Sequence, residues 1–123
     1  MSGRPLVSVV DDDESVRESL PDLLREFGFA AQAFASAEEF LASDRIDQTH
    51  CLILDIAMPG MSGPDLQREL VSRKQAIPIV FITAHGDATT RPRLIEQGAV
   101  DCLIKPFSDT ALRAALDAAL RTR

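Results

Sequence analysis

Short apolar runs alternate with stretches of helical period along this chain, and four of the runs hand over to a polar residue able to do chemistry. Asp11 and Asp12 follow Leu-Val-Ser-Val-Val, Asp55 follows Cys-Leu-Ile-Leu, Thr83 follows Ile-Val-Phe-Ile, and Lys105 follows Cys-Leu-Ile. Alternation of strand and helix patterns implies a parallel sheet covered by helices on both faces, with right-handed crossovers. In such an open sheet the carboxyl ends of the strands share one edge, which is where ligands bind. The four signals therefore converge on one site.

The individual elements follow from period and punctuation. Leu6 to Val10 is apolar on both faces, as a central parallel strand is. Val16, Leu20, Leu23, Leu24 and Phe27 then fall on one helical face, with Gly28 placed as the stop. Ala30 to Phe34 is a weaker second strand. Ser36, with Glu39 three residues on, forms a capping box for a short helix through Phe40 and Leu41. Cys51 to Leu54 is the third strand, and Ser62 and Pro64 open a helix carrying Leu66 and Leu70. Pro78 to Ile82 and Val100 to Ile104 are strands four and five, separated by a polar loop and a short helix ending at Gln97-Gly98. A last helix runs from about Ser108, with Leu112, Leu116 and Leu120 on one stripe. Two prolines interrupt the pattern. Pro21 lies mid-helix, where the missing donor predicts a kink. Pro92 suits a first-turn position, which predicts a late-starting, short fourth helix.

Composition narrows the class. The 123 residues make one domain, 1–123, able to bury roughly two-thirds of its unfolded surface in a single core. There is no apolar run of about 18 residues and no signal-peptide pattern, so no membrane association is expected. Two cysteines without a CxxC pattern point to a reduced, cytoplasmic setting. Cys51 and Cys102 would lie on strands three and five, about 10 Å apart across strand four, too far to bridge. The net charge of -6 and the dispersal of the 13 basic residues argue against direct nucleic-acid binding by this domain.

Asp11, Asp12 and Asp55 brought together repel one another unless a cation neutralises them. Magnesium fits best, being hard, oxygen-seeking, and content with one or two carboxylates plus a phosphate oxygen. Lys105 supplies a compact positive charge and Thr83 a hydroxyl donor to a phosphoryl group on Asp55, so positioning and charge stabilisation do the chemistry. Aspartate itself is a competent nucleophile, and an acyl phosphate has the finite life of a signal.

The segments VVDDDESVR, LDIAMPGMSG, FITAHGD and GAVDCLIKPF, in this order and spacing, resemble the receiver domain of bacterial two-component response regulators, in the FixJ-type subgroup. The resemblance covers essentially the whole chain. It implies a flavodoxin-like (CheY-like) α/β fold with five parallel strands in the order 2-1-3-4-5. It further implies a sensor histidine kinase as phosphodonor, Mg2+ (or Mn2+) as cofactor, and a signalling phosphoacceptor that controls an output rather than an enzyme. A C-terminal DNA-binding effector in a longer protein is implied as a possible neighbour. Matched residue by residue, Asp11 and Asp12 are the acidic pair, Asp55 the phosphoacceptor, Thr83 the switch hydroxyl and Lys105 the site lysine. The backbone carbonyl of Ala57 falls at a metal-ligand position, and the Lys105-Pro106 bond is expected to be cis.

This chain also departs from that pattern. Where the family usually carries Phe or Tyr, three residues before the lysine, it has Cys102, which removes the usual aromatic readout. Pro92 disturbs a helix that many receivers use in dimerisation, so dimerisation is left open. Ala57 and His85 hold positions that tune dephosphorylation in the family. The competing function is a receiver-shaped interaction module that signals without phosphorylation. A phosphatase of the haloacid dehalogenase type would need a second Asp at position 57. A nucleotide-binding fold would need a Gly-rich loop where this chain has DDDES. Asp13 and Glu14 read as a solvated helix start. His50 reads as an ordinary loop residue, and Cys51 and Cys102 as small buried apolar groups.

Overall fold

The computed structural model describes residues 3–121. Five strands, β1 (Leu6–Val10), β2 (Ala30–Phe34), β3 (Thr49–Asp55), β4 (Ile79–Thr83) and β5 (Asp101–Ile104), alternate with five helices. The helices are α1 (Glu14–Glu26), α2 (Ala37–Ala42), α3 (Gly63–Ser72), α4 (Thr90–Glu96) and α5 (Asp109–Arg121), and a single 3₁₀ turn at Ile46–Gln48 precedes β3. Every strand pairing is parallel and the sheet order is β2-β1-β3-β4-β5. The expected topology is the observed one.

Strand alternation divides the core in two. Leu52 and Leu54 of β3 pack with Phe40, Leu66, Leu70, Phe81 and Leu94 beneath α2, α3 and α4. Cys51 and Ile53 point the other way, to Leu24, Leu112 and Leu116 under α1 and α5. Each large aliphatic side chain so buried contributes about 1.5–3 kcal/mol. Cys51 and Cys102 lie on opposite faces of the sheet, and neither forms a disulfide among the described residues. The absence of a bridge thus follows from sidedness as well as spacing.

The element ends bear out most of the punctuation. Gly28, at φ +100°, closes α1 with Gly28 N–H donating to Arg25 O at 3.0 Å and Phe29 N–H to Leu24 O at 3.1 Å. This paired closure is the Schellman arrangement. Gly98 closes α4 in the same way, through Gly98 N–H to Ile95 O at 3.0 Å and Ala99 N–H to Leu94 O at 3.0 Å. Ser62 caps α3 in a full capping box with Asp65. At α2 the box is incomplete. Ser36 Oγ accepts from Glu39 N–H at 3.0 Å, but Glu39 Oε1 reaches the amide of Ala35, at 3.2 Å, instead of Ser36. Helix α1 continues through the buried Pro21, and α4 begins two residues before Pro92, a first-turn position.

His50 departs from the loop expectation. It belongs to β3, where the ladder slips between Leu6↔Thr49 and Val7↔Cys51, and its Nδ1 accepts the Leu6 N–H at 3.1 Å. Beside it a buried chain runs from Ser8 Oγ to Thr49 Oγ1 at 2.7 Å and on to the Arg45 carbonyl at 2.7 Å. These bonds satisfy the backbone and side chains that the slip takes out of regular register.

Candidate functional site

The carboxyl ends of β1, β3, β4 and β5 open onto a cleft of about 490 Å³ that contains Asp11, Asp12, Asp55, Ala57, Thr83 and Lys105. All the residues expected at the site are brought together there. Strand geometry does the placing. Asp55 is the last residue of β3 and Thr83 the last of β4, while Lys105 follows the last residue of β5.

Asp11 has no exposed surface, and both its carboxylate oxygens are engaged. Oδ1 accepts the Asp13 N–H at 2.9 Å and Oδ2 accepts from Lys105 Nζ at 2.9 Å. Arg17 Nη1 donates to the Asp11 carbonyl at 3.0 Å, tying α1 to the acidic loop. Asp12 is exposed at the mouth, and Asp13 serves as the α1 N-cap, accepting from Ser15 N–H at 2.9 Å. The solvated helix start expected of Asp13 is what is found.

Asp55 is 7% exposed. One carboxylate oxygen each from Asp11, Asp12 and Asp55 lie within 4.8 Å of one another. Burial, reinforced by the Asp11 charge and only partly offset by Lys105, pushes the Asp55 carboxyl up to about 7. Burial works against the Lys105 ammonium, but the Asp11 hydrogen bond and the charges of Asp11 and Asp55 outweigh it and hold the lysine above its usual range. A buried acid this crowded, with hard oxygen donors converging from two strands, is the donor set a small divalent cation takes.

Thr83 is 4% exposed and its Oγ1 accepts the His85 N–H at 3.1 Å. A hydroxyl that accepts in this way still has its own O–H to donate. The Lys105 N–H donates to the Thr83 carbonyl at 2.8 Å, and Lys105-Pro106 is cis, as expected. Below Asp55, Gly63 N–H donates to Ile56 O at 2.9 Å. A Cβ on Gly63 would overlap the Asp55 carbonyl oxygen and come to 3.0 Å from Phe81 Cε1, so only glycine lets α3 start this close. The loop between β3 and α3 is also held from outside, by Glu38 Oε2 accepting the Met61 N–H at 3.0 Å.

Among the polar residues of the cleft wall, Thr90 and Arg93 of α4 were not singled out as site residues by the sequence reading. They are three apart on one helical face, but α4 is too short for periodicity to reveal that face. His85 lies on the rim of the cleft. Cys102 is buried in the core beneath α4, and burial first, then the Asp101 charge, push its thiol up.

Comparison with known proteins agrees with the fold. A family profile described as the response regulator receiver domain matches residues 7–117. Nodulation protein W of Bradyrhizobium diazoefficiens is 48% identical over 118 residues, covering 96% of this chain and 52% of that protein. The transcriptional regulatory protein FixJ of Rhizobium meliloti is 42% identical over 113 residues, covering 92% and 55%. The chain thus spans about half the length of the curated relatives it matches. Among solved structures, response regulator StyR superposes with a TM-score of 0.88 at 48% identity, covering 98% of this chain and 61% of that one. The crystal structure of FixJ-N superposes with a TM-score of 0.85 at 39% identity, covering 100% and 98%. No helix among the described residues is long and apolar enough to cross a membrane. A parallel sheet of this order, an acidic cleft at its carboxyl edge and a profile spanning nearly the whole chain have one explanation: the chain belongs to the receiver domains of response regulators, whose family function is to accept a phosphoryl group as a signal.

Proposed function

We propose that residues 1–123 form one receiver domain in which Asp55 takes a phosphoryl group from a sensor histidine kinase in the cytoplasm. The observation that carries this is the convergence of the Asp11, Asp12 and Asp55 carboxylates within 4.8 Å beside Lys105, in an open cleft. An Asp55 oxygen attacks the phosphorus of the donor, and the bond from phosphorus to the donor breaks. Asp11, Asp12, Asp55 and the Ala57 backbone carbonyl are the groups that would hold Mg2+ (or Mn2+). Bound there, the ion would offset the crowding of the three carboxylates and screen the arriving phosphoryl charge. Thr83 donates its hydroxyl to a phosphoryl oxygen, and Lys105 places positive charge on the same side.

The domain is read as a signalling module with only slow self-phosphorylation and autodephosphorylation. The identity shared with proteins named as transcriptional regulatory proteins, about twice as long, supports an output through a DNA-binding effector in a longer protein. Intact-mass measurement after acetyl phosphate treatment tests the assignment. The expected result is one phosphoryl group on the wild type, none on Asp55→Ala, and little in excess chelator. Full labelling of Asp55→Ala removes Asp55 from the role. A wild type that takes no label and still engages its partners would favour the phosphorylation-independent interaction module.

A further inference from the structure

Among the described residues, the cleft contains one arginine that no acid claims. Lys105 is committed to the fully buried Asp11. On α4, Arg91 is committed to Asp101 of β5, Nε to Oδ1 at 2.7 Å, on the side away from the cleft. Arg93, two residues on, lines the cleft with Thr90 and Leu94, and its guanidinium forms no ion pair or side-chain hydrogen bond among the described residues. Its neighbour Leu94 is buried in the core, which anchors the helix and fixes which wall Arg93 occupies.

We propose that Arg93 is a phosphoryl-binding residue, its guanidinium crossing the cleft to pair with the oxygens of the group carried by Asp55. The inference rests on the reading of Asp55 as phosphoacceptor. A phosphoryl group carries about -1.5 to -2 charges and three strong acceptors, and offers planar bidentate geometry that arginine matches and lysine does not. Asp55 alone gives Arg93 little to bind, because it is almost wholly buried and lies among the carboxylates of Asp11 and Asp12. The modified residue gives it a full partner. Since Arg93 rides on α4, this pairing makes α4 a direct reader of the phosphoryl group, in a chain whose aromatic readout position holds a cysteine.

Beryllofluoride with Mg2+ is the probe, because it occupies an acceptor carboxylate as a phosphoryl mimic and dissociates measurably. Titrations followed by amide spectra compare the wild type with Arg93→Ala, Arg93→Lys and the control Arg91→Ala. Loss of one partly exposed charge-assisted pair is expected to weaken apparent beryllofluoride affinity roughly 3- to 10-fold in Arg93→Ala. Arg93→Lys should recover only part of it, and Arg91→Ala should titrate as the wild type does. In the wild type an arginine side-chain Nε–H signal should become protected on saturation and be missing from Arg93→Lys. Equal affinities for wild type and Arg93→Ala, with no protected arginine signal, overturn the role of Arg93 while leaving Asp55 in place. A wild type that saturates with neither beryllofluoride nor acetyl phosphate removes the Asp55 reading and this one together.

Discussion

Asp55 is nearly buried beside a fully buried Asp11, and burial together with that neighbour raises its carboxyl to about 7 from an ordinary value of 3.8. For an acid raised in this way, the folded state binds the proton more tightly than the unfolded one. Its stabilising contribution is complete below about pH 4 and is lost as pH rises through about 7. Metal-free protein is therefore expected to lose stability across that window. Asp55→Asn should flatten the slope and raise the melting temperature at pH 7.5 in chelator, a gain in stability of order 2 kcal/mol. Added Mg2+ should narrow the gap between the two proteins. An unchanged or lower melting temperature for Asp55→Asn would show that the carboxylates are not repelling one another. Gly63 is the other exacting position, since a methyl group there overlaps the Asp55 carbonyl. Gly63→Ala should cost about 1–3 kcal/mol in denaturant unfolding and slow acetyl phosphate labelling, because the displaced atom belongs to the acceptor residue. The acids, Thr83 and Lys105 were legible in sequence because each ends a recognisable apolar run. Gly63 and Arg93 were not, because a steric overlap and a cleft wall exist only once α3 and α4 are in place.

At the scale of elements, three helices close alike, but only two do so with glycine. Arg73 caps α3 and Lys74 follows at φ +60°, donating its N–H to Val71 O at 3.0 Å while Gln75 N–H reaches Leu70 O at 2.9 Å. A lysine in the left-handed region is strained by its Cβ. Lys74→Gly should therefore stabilise the domain, by up to about 1 kcal/mol after the extra freedom of the unfolded glycine is deducted. Chemical denaturation reads this directly. Helix α4 shows the opposite case. Its N-cap Thr89 makes no side-chain cap, and Asp87 Oδ1 instead gathers the Thr89 amide at 2.9 Å, the Thr90 amide at 3.1 Å and both hydroxyls. The Thr89 hydroxyl and amide hold the Asp87 carboxyl down to about 2. Asp87→Ala should speed amide exchange through the first turn of α4 while leaving α3 and α5 unchanged. Helix stops were readable because Gly28 and Gly98 advertise them. The α4 start was readable from Pro92, but its cap was not, since the cap comes from a side chain in the preceding loop rather than from the capping position.

For the molecule as a whole, the question is how a change at Asp55 travels. Thr83 Oγ1 holds the His85 N–H, and Gly86 packs against Ile104, where a Cβ would come to 2.9 Å from Ile104 Cδ1. Turning Thr83 toward a phosphoryl group breaks the first contact and loosens the second, so the loop from Ala84 to Thr90 and the short α4 behind it should shift together. Hydrogen exchange with and without beryllofluoride is expected to change between Ala84 and Gln97. Changes confined to the Asp11–Asp13 loop would rule this route out. The architecture and the composition of the cleft were visible in the sequence, because an alternating α/β pattern permits few topologies. The wiring between cleft and α4 was not, because it depends on which polar atoms meet across loops. The Lys105–Asp11 pair joins residues 94 positions apart and closes the sheet edge from both ends of the chain. While the chain is being synthesised, the ion-pair partner seen for Asp11 is missing until Lys105 has emerged, so the proposed acceptor site is expected to be completed only with β5. Competence to receive a signal is thereby tied to completion of the fold.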